Sequence, residues 1–178
     1  NNRATNNYST SMGRQYIASG ENSTSMGMRT TASVLTSTSM GMRTIASGYG
    51  STSMGYDTSA IGEDATSIGS RTKASGQNSV SMGNSTNAIG SGSTAMGNGT
   101  NAWGDYSTTM GYQTLTGGAY STSLGYQTYA YGNASVCMGL STIANAYGSL
   151  VIGSYNDYGD NPDPVSLGSS DRVFQIGN

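Results

Sequence analysis

A chain of 178 residues with 27 Gly, one Phe, one Trp and only 9% charged residues lacks the large aliphatic side chains of an ordinary globular core. Seven Lys and Arg against nine Asp and Glu give a net charge of −2, which argues against nucleic acid as a partner. With no His and a single cysteine, Cys137, neither a Ser-His-Asp triad, nor an intrachain disulfide, nor a Cys-based metal site can form, and no apolar run is long enough to insert in a membrane.

Residues 1–8 are a polar lead-in or the end of a preceding repeat. From there a Gly falls every seventh residue, from Gly13 to Gly153, with breaks only at Val34 and Ala146. The period first suggests a coiled coil, but a Gly in nearly every heptad costs about 1 kcal/mol each in a helix, and Ser and Thr between them are weak helix formers. Collagen fails as well, because Gly does not fall at every third position. The remaining reading is an all-β solenoid spanning residues 9–153, in which each half-repeat is a short extended run closed by a Gly corner. Two half-repeats make one coil, and the coils begin at Ser9, Ser23, Ser37, Ser51, Ala65, Ser79, Ser93, Ser107, Ser121, Ser135 and Ser149. Stacked at strand spacing, ~4.8 Å each, they predict a rod roughly 50 Å long.

Alternation within each run separates inside from outside. Small residues occupy the first and third positions: Ser51 and Ser53 in one half-repeat, Thr72 and Ala74 in the other. These columns suit a very narrow interior lined by Ser and Thr hydroxyls, and Cys137 stands in for a Ser there. In the first half-repeat the fourth position is always large and apolar: Met12, Met26, Met40, Met54, Ile68, Met82, Met96, Met110, Leu124, Met138 and Ile152. An unbroken outward apolar stripe is too large for a stable monomer and predicts a subunit interface. The position after the first Gly (Met28, Met42, Tyr56, Tyr112, Tyr126, Leu140) should flank that seam. First-half corners are always Gly, whereas second-half corners admit Val34 and Ala146, so the first corner is expected to be the stricter one.

Beyond Gly153 the rhythm stops, and residues 154–178 read as an exit loop followed by a cap or connector. Both prolines, Pro162 and Pro164, fall in the loop, where they donate nothing to a β ladder. Phe174 is expected to cover the open end of the roll. Asp157, Asp160 and Asp163 surround this loop; the two readings are solvated carboxylates and a Ca²⁺ site. Elsewhere no catalytic, cofactor or metal constellation emerges. Exposed aromatics cluster late in the rod at Trp103, Tyr106, Tyr120, Tyr129 and Tyr131, either as a candidate ligand surface for sugar or protein, or as an aromatic ladder that braces adjacent coils.

The Ser-x-Ser/Ala-Met/Ile-Gly and Thr-x-Ala-x-Gly phrases, as in Asn78 to Gly90, resemble the YadA-like head repeats of trimeric autotransporter adhesins. The resemblance spans about Ser9 to Gly153 and implies a left-handed parallel β-roll assembled as a homotrimer, with Met and Thr columns facing the three-fold axis. It implies a non-enzymatic head, free of cofactors, at the tip of an outer-membrane-anchored surface fibre. Its partner would be a protein or glycan on a host or neighbouring cell. Related repeats occur in phage tail fibres, so a structural segment of a virion fibre or extracellular filament is the alternative. An ice-binding role, suggested by the regular column Thr10, Thr24, Thr38, Thr52 and Thr66, requires that column to be exposed.

Overall fold

Residues of like kind fourteen apart come into register as neighbouring rungs of two parallel sheets. The computed structural model describes residues 3–156, 163–166, 168 and 171–177. Among these, twelve strands form one parallel sheet and eleven shorter strands form the other. One coil shows the pattern: the long strand Thr52–Tyr56, a corner at Asp57, the short strand Ser59–Ala60, then a turn through Gly62, Glu63 and Asp64. Thr52 pairs with Thr66 and Thr66 with Val80; Ser59 pairs with Lys73. The chain is thus a parallel β-solenoid of fourteen-residue coils. The corners are laddered as well: the Asp57 amide donates to the Met42 carbonyl and the Asp64 amide to that of Tyr49.

The expected Gly corner is corrected on one side. Gly55 lies inside the long strand, at φ +125°, and the chain turns two residues later at Asp57, φ 56°. A Cβ at Gly55 would sit 2.0 Å from the Gly69 carbonyl oxygen of the next rung. The glycine therefore serves both a backbone conformation closed to L side chains and a close stacking of strands. Gly62 has only the second constraint, with its added Cβ 2.0 Å from the Gly76 oxygen at an ordinary φ. Val34 and Ala146 occupy that same column, so the backbone there can yield.

The interior consists of small side chains at zero exposure, chiefly Ser, Thr and Ala. In most coils the Ser at the third position of the first half-repeat meets the first Thr of the following half-repeat across the roll, Oγ to Oγ1 at 2.7 Å in Ser53–Thr58, Ser67–Thr72 and Ser81–Thr86. The first-position Ser turns its hydroxyl to the preceding corner carbonyl, as Ser51 does to Gly48 at 2.7 Å. Buried hydroxyls need partners, and here the repeat supplies both halves of each pair. The exceptions cluster. Among the described residues, Ser93 Oγ, Thr100 Oγ1 and Thr114 Oγ1 are buried without a partner. Ala95 and Thr109 occupy the positions from which a Ser would reach Thr100 and Thr114.

Both ends of the Thr column carry larger residues. Tyr16 takes the place of Thr one coil before Thr30 and is buried at the start of the roll; Asn156 takes it one coil after Thr142 and is 5% exposed. The Asn156 side chain replaces the missing next rung: its Oδ1 accepts from the Ile143 amide at 2.7 Å, and its Nδ2 donates to the Ile143 carbonyl at 2.9 Å and to Gln175 Oε1 at 2.8 Å. Phe174 does not cover the open end. The strand Phe174–Ile176 adds a further rung to the long sheet, with Phe174 beside Leu150 and Ile176 beside Ile152. Alternation then turns Phe174 outward, 60% exposed, and leaves Gln175 to close the interior.

Two outcomes follow for stability. Gly55→Ala should lower Tm well beyond Gly62→Ala, because about 1–3 kcal/mol of backbone strain adds to a clash that both share; thermal circular dichroism compares them, and equal losses would refute the two-constraint account. Ala95→Ser should raise stability by about 0.5–1.5 kcal/mol by giving Thr100 its missing partner, an increase in Tm of a few degrees.

Candidate binding surfaces

The roll turns two different faces outward. On the long sheet the second and fourth positions of each first half-repeat project from the roll, so Thr52 and Met54 belong to columns that run along it. Met12, Met110 and Ile152 are the most exposed of the eleven fourth-position side chains, with Met12 at 57%; Met26, Met40, Met54, Ile68, Met82, Met96, Leu124 and Met138 are half-buried by their neighbours in adjacent rungs. Phe174 and Ile176 carry the apolar columns one rung further. Tyr112 and Tyr126, on the flank of this sheet, stack with ring centroids 5.1 Å apart.

The short-sheet face is mixed. Lys73, Asn87, Asn101, Leu115, Tyr129 and Ile143 form one of its columns through the strand register, and the Asn87 Nδ2 donates to Asn101 Oδ1 at 2.8 Å. The sequence-selected aromatics divide between this face and the adjoining turn. Tyr106 and Tyr120 occupy the left-handed turn position of successive coils, with φ 55° and 59°, and stack at 5.4 Å. Tyr129, in the short strand Tyr129–Ala130, and Tyr131, the residue just after it, stack at 6.2 Å. Trp103, 52% exposed, stands two rungs from Tyr131 in the same column with Gly117 between them. A Cβ at Gly117 would come within 3.0 Å of Tyr131 Cδ1, so the Tyr131 ring lies over the space that the glycine leaves. Burial first, and the nearby Tyr129 phenol second, push the Tyr131 hydroxyl above its ordinary pKa. The bracing ladder is therefore real for Tyr106–Tyr120, while Trp103 and Tyr131 keep open ring surface.

Sequence reasoning missed two features of the surface. A cavity of about 440 Å³ at the last corner is lined by Tyr129, Gln127, Ser141 and Tyr155 among others; the fourteen-residue spacing of Gln127, Ser141 and Tyr155 was the available signal. A second, arginine-lined groove lies near the start of the rod, marked in sequence by Arg29 and Arg43 one coil apart.

Chemistry is sparse. Among the described residues no cluster of three His, Cys, Asp or Glu could hold a metal, and no helix is long and apolar enough to cross a membrane. Asp157 and Asp160 of the candidate Ca²⁺ loop lie outside the described residues. Asp163 accepts from the Val165 amide and the Ser166 hydroxyl, which hold its carboxyl below the usual range, with the Ser166 bond the larger cause. Cys137 is buried in the Ser column and donates to Thr142 Oγ1 at 3.1 Å. Burial pushes its thiol up.

The architecture is a parallel β-roll with a hydroxyl-bonded interior and an outward Met column. Family comparison agrees: the model of the YadA head domain repeat (2 copies) matches residues 18–44, 46–72, 60–86, 74–100, 88–114 and 117–140. The chain belongs to the YadA head family. No curated protein matches it.

The Cys137 environment has a measurable consequence. Above about pH 8.5 the unfolded chain ionises its thiol while the native one holds its proton. Stability thus falls as pH rises through the window between the ordinary thiol pKa and the raised native one. Cys137→Ser keeps the bond to Thr142 and should remove this part of the fall in a denaturation series at rising pH. The native thiol should resist a disulfide reagent that titrates it fully in denaturant.

Proposed function

We propose that this chain is the head segment of a non-enzymatic, homotrimeric fibre displayed on a cell surface, with the Thr and Met columns of the long sheet facing the three-fold axis. The observation that carries the reading is the unbroken apolar column from Met12 to Ile152, left half-covered along the whole length of one sheet, whereas the other face mixes polar and apolar residues. Completing the burial of such a side chain contributes up to about 1.5–3 kcal/mol, repeated at every rung. Membership of the YadA head family supports the same assembly and an adhesive role. The short-sheet face and its turn, with Trp103, Tyr106, Tyr120, Tyr129 and Tyr131, then remain to meet a protein or glycan ligand. Aromatic rings beside small polar residues suit either.

The Thr column belongs to the same long-sheet face as the methionines, and is half-buried over Thr24, Thr38, Thr52 and Thr66. In a trimer it would be hidden, which disfavours ice binding. Mass measurement of the chain in solution should give three copies. Met40→Asp with Met82→Asp should shift the mass toward one copy by placing charges in a closed seam. A stable monomer of the parent chain would overturn the assembly. Glycan and matrix-protein arrays test adhesion: binding that falls at least about tenfold with Trp103→Ala and Tyr131→Ala, equivalent to about 1.4 kcal/mol, supports the short-sheet face, and silence on all arrays would favour a purely structural fibre segment.

A further inference from the structure

The net charge conceals a segregation along the rod. Six of the seven cationic side chains (Arg3, Arg14, Arg29, Arg43, Arg71 and Lys73) fall in the first 73 residues. Three of them converge. Arg14 ends the long strand Thr10–Arg14 and pairs in register with Met28, which pairs with Met42, which pairs with Tyr56. Arg29 and Arg43 are the corner residues immediately after Met28 and Met42, both held at positive φ, 58° and 59°. Together these side chains line a groove of about 510 Å³ that runs along the rod over four rungs, about 14 Å at strand spacing. All three arginines are exposed, and among the described residues no carboxylate lines the groove. Arg29 Nε donates to Gln15 Oε1 at 3.3 Å, which steadies one guanidinium. Asp57, the next corner residue, adjoins the far end beside Tyr56.

We infer that this groove binds a linear anionic polysaccharide, its sulfate or carboxylate groups held by Arg14, Arg29 and Arg43 and its sugar rings resting on Met28, Met42 and Tyr56. Like charges on successive rungs repel one another, and an anion laid across them relieves that repulsion. Guanidinium forks bind planar or tetrahedral oxyanions through paired hydrogen bonds. The repeated placement of cations along the rod matches a ligand whose charges also repeat along a chain. The backbone favours a glycan over an acidic peptide. The corner amides are already spent between coils, Arg29 to the Arg14 carbonyl at 3.0 Å and Arg43 to that of Met28 at 2.9 Å. An extended peptide would find no strand edge to join there, whereas a polysaccharide needs only side chains. The site lies on a different part of the roll from the aromatic turn and stands without the trimer, since a single chain carries all of it.

The test titrates the full chain with heparin as a sulfated probe, hyaluronan as a carboxylated one, and a DNA duplex as a control polyanion, at rising salt. Heparin or hyaluronan should bind with an affinity that falls steeply with salt, and which of the two binds identifies the anionic group. Arg29→Gln with Arg43→Gln should weaken that binding at least about tenfold, equivalent to about 1.4 kcal/mol, at unchanged Tm. Lys73→Gln, on the other sheet, should leave it unchanged. Four results would overturn the proposal: no binding of either glycan at low salt; equal binding by the double variant; equally tight DNA binding lost with the same arginines; or a change of mass in solution on removing them, which would place the arginines in an interface between copies.

Discussion

The bond between a Ser hydroxyl and a Thr hydroxyl across the interior fixes the width of this roll. At 2.7 Å, repeated through successive coils, it holds the two sheets too close for any large aliphatic side chain to pass between them. A conventional core stabilises by the area it removes from water; this one depends on pairing most of the polar groups it buries. Hydroxyl pairs are modest individually but costly when half-made, so a change at one partner is felt by the other. Coils with Ala95 and Thr109 show how far the pattern can drift while the register is kept. They are the least satisfied rungs described.

With the inside reserved for small residues, the large side chains of the complete inner coils are forced outward. That is why the exterior is so informative. Met gathers in one outward column of the long sheet, while the short-sheet face mixes Asn, Ser and Lys with Ile, Leu and aromatic residues. The hydroxyl interior and the apolar exterior are consequences of a single geometric limit. The ends obey it too: Tyr16 and Asn156 are admitted to the Thr column only where no further complete coil must stack upon them.

Much of the architecture was legible because a period of fourteen leaves few alternatives. Ser53, Ala60 and Cys137 could be assigned inward and Met54 outward from alternation alone, and the structure places them so. What misled was the meaning of glycine. Gly55 reads as a turn in sequence, but it is a strand residue at a mirror-β φ, and the turn is made by Asp57. Composition cannot separate those two uses, since both favour Gly. Phe174 misled for a related reason: an aromatic after a broken repeat suggests a plug, while its pairing with Leu150 fixes its parity and turns it outward. The arginine groove was hidden by averaging, because a chain-wide charge of −2 says nothing about where cations gather.

The register has a further consequence for how such a surface is composed. Trp103 and Tyr131 are separated by two rungs, Arg29 and Arg43 by one. Along the axis of the rod, distances between matching positions are whole multiples of the strand spacing, about 4.8 Å. The roll is in effect a ruler on which each exterior side chain marks a graduation. Gain or loss of one fourteen-residue unit would move everything beyond it by one mark and leave the interior chemistry of each remaining rung as it was. Recognition on such a scaffold is tuned by counting rungs, and a ligand with its own repeat would be selected by whether the two periods agree.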